Sequence, residues 1–474
     1  MSDTNLAEDA IAPPPIRGDL TRGPVLRTLI RFSVPTLGTS LLQSLGMTIN
    51  SIWIGQLLGE SALAATSNAS NIAFLAFATV FGFSTATTIR VGQKFGAGDI
   101  DGVRRAFGGG TGFSTGVTIV GAVLGWIFMD ALLDILATPV VIRAQAREYL
   151  DIVFLAMPFT TLMMMISTGL RGCGDARTPL YATILSTTVS VILNPVLILG
   201  LGPLPAMGLA GSALTVVIGN VVASAVMLSL IYGQNLPVRL KAGEFRYLLG
   251  SSAELGYVLS KGVPMGAQTI IATLASLVMM GIVNREGLLT AAAYGAVLPL
   301  WNYIQMPALS LATAVSAIAA QNIGAGKISR VGHVTMAGAA STAIVTLSTF
   351  AVLVLFDEPI LSLFLGRGSA AIPIAEEIAL YGTWAWVFGG LSMVLNGTLR
   401  AFGVVMQPLL VMMAAYYPAR VGFYYLLYPV LGADAIWLSF TFGGFVSLML
   451  SLLVYAKGGW RQRSGIKVAV ATAG

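Results

Sequence analysis

Long apolar stretches separated by short charged ones dominate the chain. Uncharged runs cover residues 32–59, 61–89, 106–129, 152–170, 178–238, 262–284, 287–326, 331–356, 378–399, 401–419 and 435–456. A membrane helix needs roughly 20 mainly apolar residues, so each run is a candidate span. The run 178–238 has room for two, divided at the turn signal Gly200-Leu201-Gly202-Pro203-Leu204-Pro205. The run 401–419 continues past Arg420 to about Tyr428. The pattern predicts an all-α polytopic membrane protein with twelve transmembrane helices. A barrel would instead show short segments of alternating polar and apolar residues.

Charge then orients the spans. Of 474 residues, 26 are Lys or Arg and 20 are Asp or Glu, 10% in all. A soluble domain carries about 25%. With an even number of spans, 21 of the basic residues fall on the side of both termini, Arg17, Arg22, Arg104, Arg105, Arg239, Arg246, Lys327, Arg461 and Arg463 among them. Arg143, Arg147, Arg285 and Arg367 fall on the other side, and Arg420 lies within a span. This bias predicts a multi-pass protein of the cytoplasmic membrane with both termini in the cytoplasm. The net charge of +6 follows from that topology and does not call for nucleic acid as a partner. One cysteine and one histidine, Cys173 and His333, exclude a disulfide framework and leave no metal site; no cofactor is expected. No cluster of His, Cys, Asp or Glu suggests a membrane-embedded enzyme, and no nucleotide-binding motif is present.

An internal repeat organises the chain. Val34-Pro35 recurs as Val263-Pro264, Ala64-Ala65 as Ala292-Ala293, and Gln93 with Gly96-Ala97-Gly98 as Gln321 with Gly324-Ala325-Gly326. Leu170-Arg171 and Pro179 recur as Leu399-Arg400 and Pro408. All the offsets are 228 or 229. Six helices per half give both halves the same orientation, the parallel-repeat plan of one transporter class. The predicted organisation is a tail over 1–24, a first lobe over 25–232, a linker over 233–254, a second lobe over 255–456 and a tail over 457–474. Pro35 and Pro264 free a backbone carbonyl and permit a bend, which makes them candidate hinges. Each Gly-Ala-Gly lacks the Lys-Ser/Thr of a phosphate loop and reads as a tight turn.

These repeats carry a resemblance. Pro35 with Gln43, Asn50-Ser51-Ile52-Trp53-Ile54-Gly55, Leu63-Ala64-Ala65, Arg90-Val91-Gly92-Gln93-Lys94-Phe95-Gly96-Ala97-Gly98, Leu170-Arg171-Gly172-Cys173-Gly174-Asp175-Ala176-Arg177-Thr178-Pro179 and Gly208-Leu209-Ala210-Gly211 stand in order, with copies in the second half. Over roughly residues 25–456 the chain resembles the multidrug and toxic compound extrusion (MATE) family. The resemblance implies a two-lobe, secondary-active efflux transporter, an antiporter driven by protons or sodium that typically exports organic cations.

The usual acids of that family are absent. Asn50 stands where the first helix commonly has Asp, and Leu193-Asn194-Pro195 replaces Leu-Asp-Pro. Ala272 and Gly389-Gly390 occupy the acidic neighbourhoods of the second lobe. Asparagine cannot titrate, though its carbonyl can face sodium or a ligand. Asn50 and Asn194 are therefore the expected ion-coupling residues. The expected substrate-binding residues are Gln43, Met47, Asn50, Asn71, Asn194, Asn302, Tyr303 and Arg420. Gln43 and Asn50 lie two turns apart on one helix face, with Met47 between them. Arg420 is an intramembrane cation, able to meet an anionic ligand, to stack on tyrosines, or to anchor to carbonyls. The expected partners are a small organic substrate, a proton or sodium ion and membrane lipid, with the chain a monomer. The alternatives are an uncoupled facilitator, an exporter of neutral or anionic metabolites, and a lipid-precursor flippase.

Overall fold

The computed structural model describes residues 18–135, 138–200 and 205–460, and the side chains of all of these except 68, 71, 75 and 76. Residues 1–17 of the first predicted tail, 461–474 of the second, and Leu201–Leu204 of the predicted turn lie outside them. The described residues form twelve long helical segments, α1 (Val25–Leu58), α2 (Glu60–Gly96), α3 (Ile100–Ile127), α4 (Val140–Gly172), α5 (Arg177–Leu199), α6 (Gly208–Gly233), α7 (Ser252–Arg285), α8 (Leu288–Gly324), α9 (Ile328–Leu355), α10 (Ile372–Ala401), α11 and α12 (Asp434–Ala456). The eleventh is broken: it runs as Met406–Ala414, a π-helical turn Ala415–Ala419, and Arg420–Leu431.

Nine of these, α3 to α10 and α12, are long and apolar enough to cross a membrane. The tenth, α2, bends by 42° between Phe74 and Phe77. Of the remaining two, α1 is a 34-residue helix, roughly 51 Å long at 1.5 Å per residue. The other is the broken α11, where Pro418 within the π turn disrupts the regular ladder.

The repeat is visible in helix lengths. α1 and α7 both have 34 residues, α2 and α8 both 37, and α3 and α9 both 28. Packing repeats as well: α2 lies on α4 as α8 lies on α10, and α5 on α6 as α11 on α12. Each half encloses its own apolar core. The first is built on Ile54, Leu133, Leu150 and Phe154. The second is built on Tyr294, Trp301, Ile378 and Trp437.

The halves meet where α2 and α8 end. Gly96 lies against the carbonyl of Gln321, and Gly324 against that of Gln93, so closely that a Cβ on either glycine would overlap the opposing backbone. Gln93 Nε2 donates to Ala401 O at 2.8 Å, and its copy Gln321 donates to Gly172 O at 2.9 Å. Gly98 and Gly326 turn the chain with φ of 74° and 73°, a region that favours glycine. The repeated motif is thus a tight turn, as its sequence suggests, and also a pair of reciprocal clasps.

Two segments differ from their sequence reading. Residues 18–24 do not hang free: Leu20 N donates to Gln321 Oε1 at 2.9 Å, and Lys327 Nζ to Thr21 O at 3.0 Å, while Gly18 lies against Cys173 of the first half. The linker holds a 3₁₀ turn, Ala242–Leu249, and α7 starts at Ser252, so Glu254 belongs to that helix. Ser251 caps it by accepting from Glu254 N, which fixes the start earlier than the charge pattern suggested.

Candidate functional site

Within the first half, beside its apolar core, lies a cluster of uncharged polar side chains. Asn50 on α1, Asn194 on α5 and Ser212 on α6 meet there. Asn194 Nδ2 donates to Asn50 Oδ1, and Ser212 Oγ donates to the same oxygen at 2.8 Å. Asn194 is buried at 1% exposure, and its own Oδ1 has no partner among the described residues. A buried carbonyl without a donor is unfavourable by about 1–3 kcal/mol, so this oxygen is open to a cation or a donor. Pro195 follows Asn194 inside α5 and cannot supply a backbone N–H there. Nearby, Ser186 donates to Asn220 Oδ1 at 2.9 Å, and Asn220 Nδ2 donates to Thr160 Oγ1 at 3.0 Å.

Within the second half an aromatic cluster holds the cation Arg420. Arg420 is only 8% exposed. Its guanidinium carbon lies 4.5 Å from the ring centres of both Tyr416 and Phe440, so it is held between two ring faces. Cation–π attraction of this kind is stronger when desolvated. Arg420 makes no ion pair or hydrogen bond with the described residues, and its buried Nε has no partner. Gly443 faces it from α12, where the missing side chain leaves room for the guanidinium. Tyr294 stacks on Trp437 at 5.9 Å, and Trp301 approaches Phe440 at 5.2 Å while donating to Thr383 Oγ1 at 2.9 Å. Of the readings open for Arg420, the described geometry is stacking, not anchoring to carbonyls.

The other expected binding residues do not join either group. Gln43 is exposed, and Met47 is 70% exposed. Asn302 and Tyr303 are exposed on α8 beside buried Trp301. The side chain of Asn71 lies outside the described residues. Pro35 sits buried within α1 and Pro264 half-buried within α7, both in the halves of those helices that face the other lobe.

Sequence reasoning missed Ser212, although it directly follows the quoted Gly208-Leu209-Ala210-Gly211. It also missed an ion pair between the halves. Arg90 on α2, read from sequence as an interfacial anchor, donates through Nε and Nη2 to Glu254 on α7 at 3.1 and 3.0 Å, and its guanidinium lies 4.9 Å from the Tyr257 ring centre. The signal available was a Glu three residues after a Ser that caps a helix, but the partner is 164 residues away.

The MatE family pattern matches residues 35–196 and 264–426, one block in each half, and each block opens on a helix proline. A probable multidrug resistance protein of Bacillus subtilis, YoeA, is 32% identical over 441 residues, covering 93% of this chain and 95% of that one. A FAD transporter of Shewanella oneidensis is 24% identical over 349 residues, 73% of this chain and 76% of that one. The solved structure of an outward-facing MATE family transporter of the MOP superfamily superposes with a TM-score of 0.86 at 19% identity, over 95% of this chain and all of that one, a likeness of fold. With two matched blocks, twelve helical segments and reciprocal clasps between the halves, the chain is a multi-pass integral membrane protein that belongs to the MATE family.

Proposed function

We propose that this chain is a secondary-active exporter of small amphipathic organic compounds, working by alternating access of lobes 25–232 and 255–456. The observation that carries this reading is the reciprocal contact of Gln93 and Gln321 at one end of two matched halves. Two bodies joined at one end by glycine contacts, a few hydrogen bonds, one ion pair and apolar clusters shared between the halves can part there and close elsewhere. Pro35 and Pro264 are the proposed hinges. The names of relatives such as the multidrug resistance protein of Bacillus subtilis support export as the direction. The basic bias toward the terminus-bearing side supports both termini in the cytoplasm, with the chain acting as a monomer in the cytoplasmic membrane.

Coupling, in this reading, runs through Asn50 and Asn194. The pocket offers the oxygens of two amides and of Ser212, so it suits sodium better than a proton, which no group there can accept near neutral pH. Gln43, Met47, Asn71, Asn302 and Tyr303 are the proposed substrate contacts outside that pocket.

A second reading, export of anionic organic metabolites, is favoured by Arg420. A buried guanidinium without a carboxylate attracts anions and repels cations. The similarity to a protein named as a FAD transporter supports it.

The test is transport in reconstituted vesicles with fluorescent organic cations and anions, under imposed sodium and proton gradients. Sodium-driven uphill movement in the wild type, lost on Asn194→Leu, supports coupling through the amides. Equilibration alone in the wild type, with uphill transport gained by Asn50→Asp, would replace the exporter with a facilitator.

A further inference from the structure

A groove at the terminus-bearing end of α1 and α5 belongs to neither lobe interior. It is an open groove of about 660 Å³ lined by Leu26, Arg27, Ile30, Arg31 and Arg177. All three arginines are exposed, and none pairs with an acid among the described residues. Elsewhere at this end acids are supplied: Arg22 has Asp19 at 3.2 Å, Lys94 has Asp99 at 2.9 Å, and Arg104 has Glu244 at 3.1 Å. The acid nearest in sequence, Asp175, instead accepts from the backbone N–H of Arg177 and of Thr178 and from the Thr178 hydroxyl, so it serves the turn into α5.

Arg27 and Arg31 are four residues apart on one helix face, an arrangement in which like charges repel. Arg177 brings a third positive charge from the neighbouring helix. Three guanidinium groups around one cavity are stable together when an anion with several acceptor oxygens lies between them. The walls that lead away from the helix ends are apolar. Val34, four residues beyond Ile30, is 59% exposed, and Tyr181, four beyond Arg177, is 64% exposed. Ile184 continues that stripe. A basic end followed by an apolar, outward-facing wall matches an anionic phospholipid lying with its phosphate at the arginines and its chains along α1 and α5. Basic pockets between membrane helices are suited to such headgroups.

We infer that this groove binds the phosphate headgroup of an anionic phospholipid, with Arg27, Arg31 and Arg177 as its ligands. The site is separate from Asn50, Asn194 and Arg420 and does not depend on the proposed transport reaction.

The test is native mass spectrometry of the full chain in neutral detergent, titrated with phosphatidylglycerol, with phosphatidylcholine of the same chains, and with inorganic phosphate. The wild type is expected to retain one phosphatidylglycerol at least fivefold more strongly than phosphatidylcholine. R27Q/R31Q/R177Q should lose that preference, R27K/R31K/R177K should keep most of it, and both should bind phosphatidylcholine as the wild type does. Equal thermal unfolding in detergent alone establishes that the variants are folded. Equal retention of the two lipids by the wild type, or an unchanged preference in the glutamine variant, would overturn the inference. Displacement of the bound phosphatidylglycerol by millimolar inorganic phosphate would overturn the lipid and leave a free-anion site.

Discussion

At the junction of the halves, Gln93 reaches Ala401 O and Gln321 reaches Gly172 O, positions related by the same repeat, and Gly96 and Gly324 each lie on the other's partner glutamine. Inside the halves the correspondence is gone. The first holds Asn50, Asn194 and Ser212 joined by hydrogen bonds, and the second holds Arg420 between Tyr416 and Phe440. Repeated residues therefore build the contact between the halves, where a two-fold arrangement needs each half to present the same surface. Divergent residues line the interiors, where no such two-fold contact constrains them. The junction also departs from the repeat: Arg90 pairs with Glu254, while the repeat places Ile318 where a second Arg90 would stand.

The strongest way to break this comparison is at the clasp. Gly96→Ala with Gly324→Ala puts two methyl groups onto opposing backbone, which should disfavour the closed end by about 3 kcal/mol. Cys173, the sole cysteine, is buried at this end beside Gly18, so its reaction with a maleimide reports opening. Labelling should become much faster in the double variant and transport should fall. Unchanged labelling would mean that the glycines do not hold the joint.

Glu254→Gln probes the asymmetric part of the same joint. It leaves Arg90 without a carboxylate and should cost about 2 kcal/mol, less than a fully buried pair because Arg90 keeps some contact with water. Cys173 labelling should rise, though less than for the glycine pair, and Glu254→Asp should restore part of the protection.

Within the interiors the contrast is one of charge. Arg420→Gln should weaken transport of anionic probes roughly tenfold, about 1.5 kcal/mol for a charged hydrogen bond, while cationic probes are unaffected or move faster. Equal loss for both charge types would make Arg420 a packing residue.

The smallest effect sharpens a difference at the helix starts. Asp99 caps α3 by accepting from Gly102 N at 2.8 Å, whereas its copy Lys327 gives α9 no side-chain cap. The hydrogen bond from Lys94, and then that from Gly102, hold the Asp99 carboxyl below the usual carboxylate range. A group with a depressed folded value stabilises above its ordinary pKa of about 3.9 and loses that contribution as pH falls through the folded value. Asp99→Asn should lower stability by about 0.5 kcal/mol near neutral pH and flatten the acid limb of a thermal-unfolding profile below about pH 4.

Much of this was present in the order of residues. Runs of apolar residues fix where helices form, because a backbone in lipid must satisfy its own hydrogen bonds. The repeated Pro, Gln and Gly-Ala-Gly positions mark two like halves before any fold is known. The amide pair was legible as well, since Asn50 and Asn194 stand where the family carries acids. What periodicity could not show was which distant side chains meet. Ser212 looked like one more small residue in a helix, Glu254 like the end of a linker, and Gln43 and Met47 shared a face with Asn50 but lie exposed. Arg420 was visible as an intramembrane charge, but its two aromatic walls come from separate helices, and only packing brings Phe440 onto it. Helix existence follows from local hydrophobicity, which the sequence carries residue by residue. Pairing across 164 residues between Arg90 and Glu254 follows from how the two lobes meet, and pairing across 144 between Asn50 and Asn194 from how helices pack within one lobe; only the tertiary structure decides either.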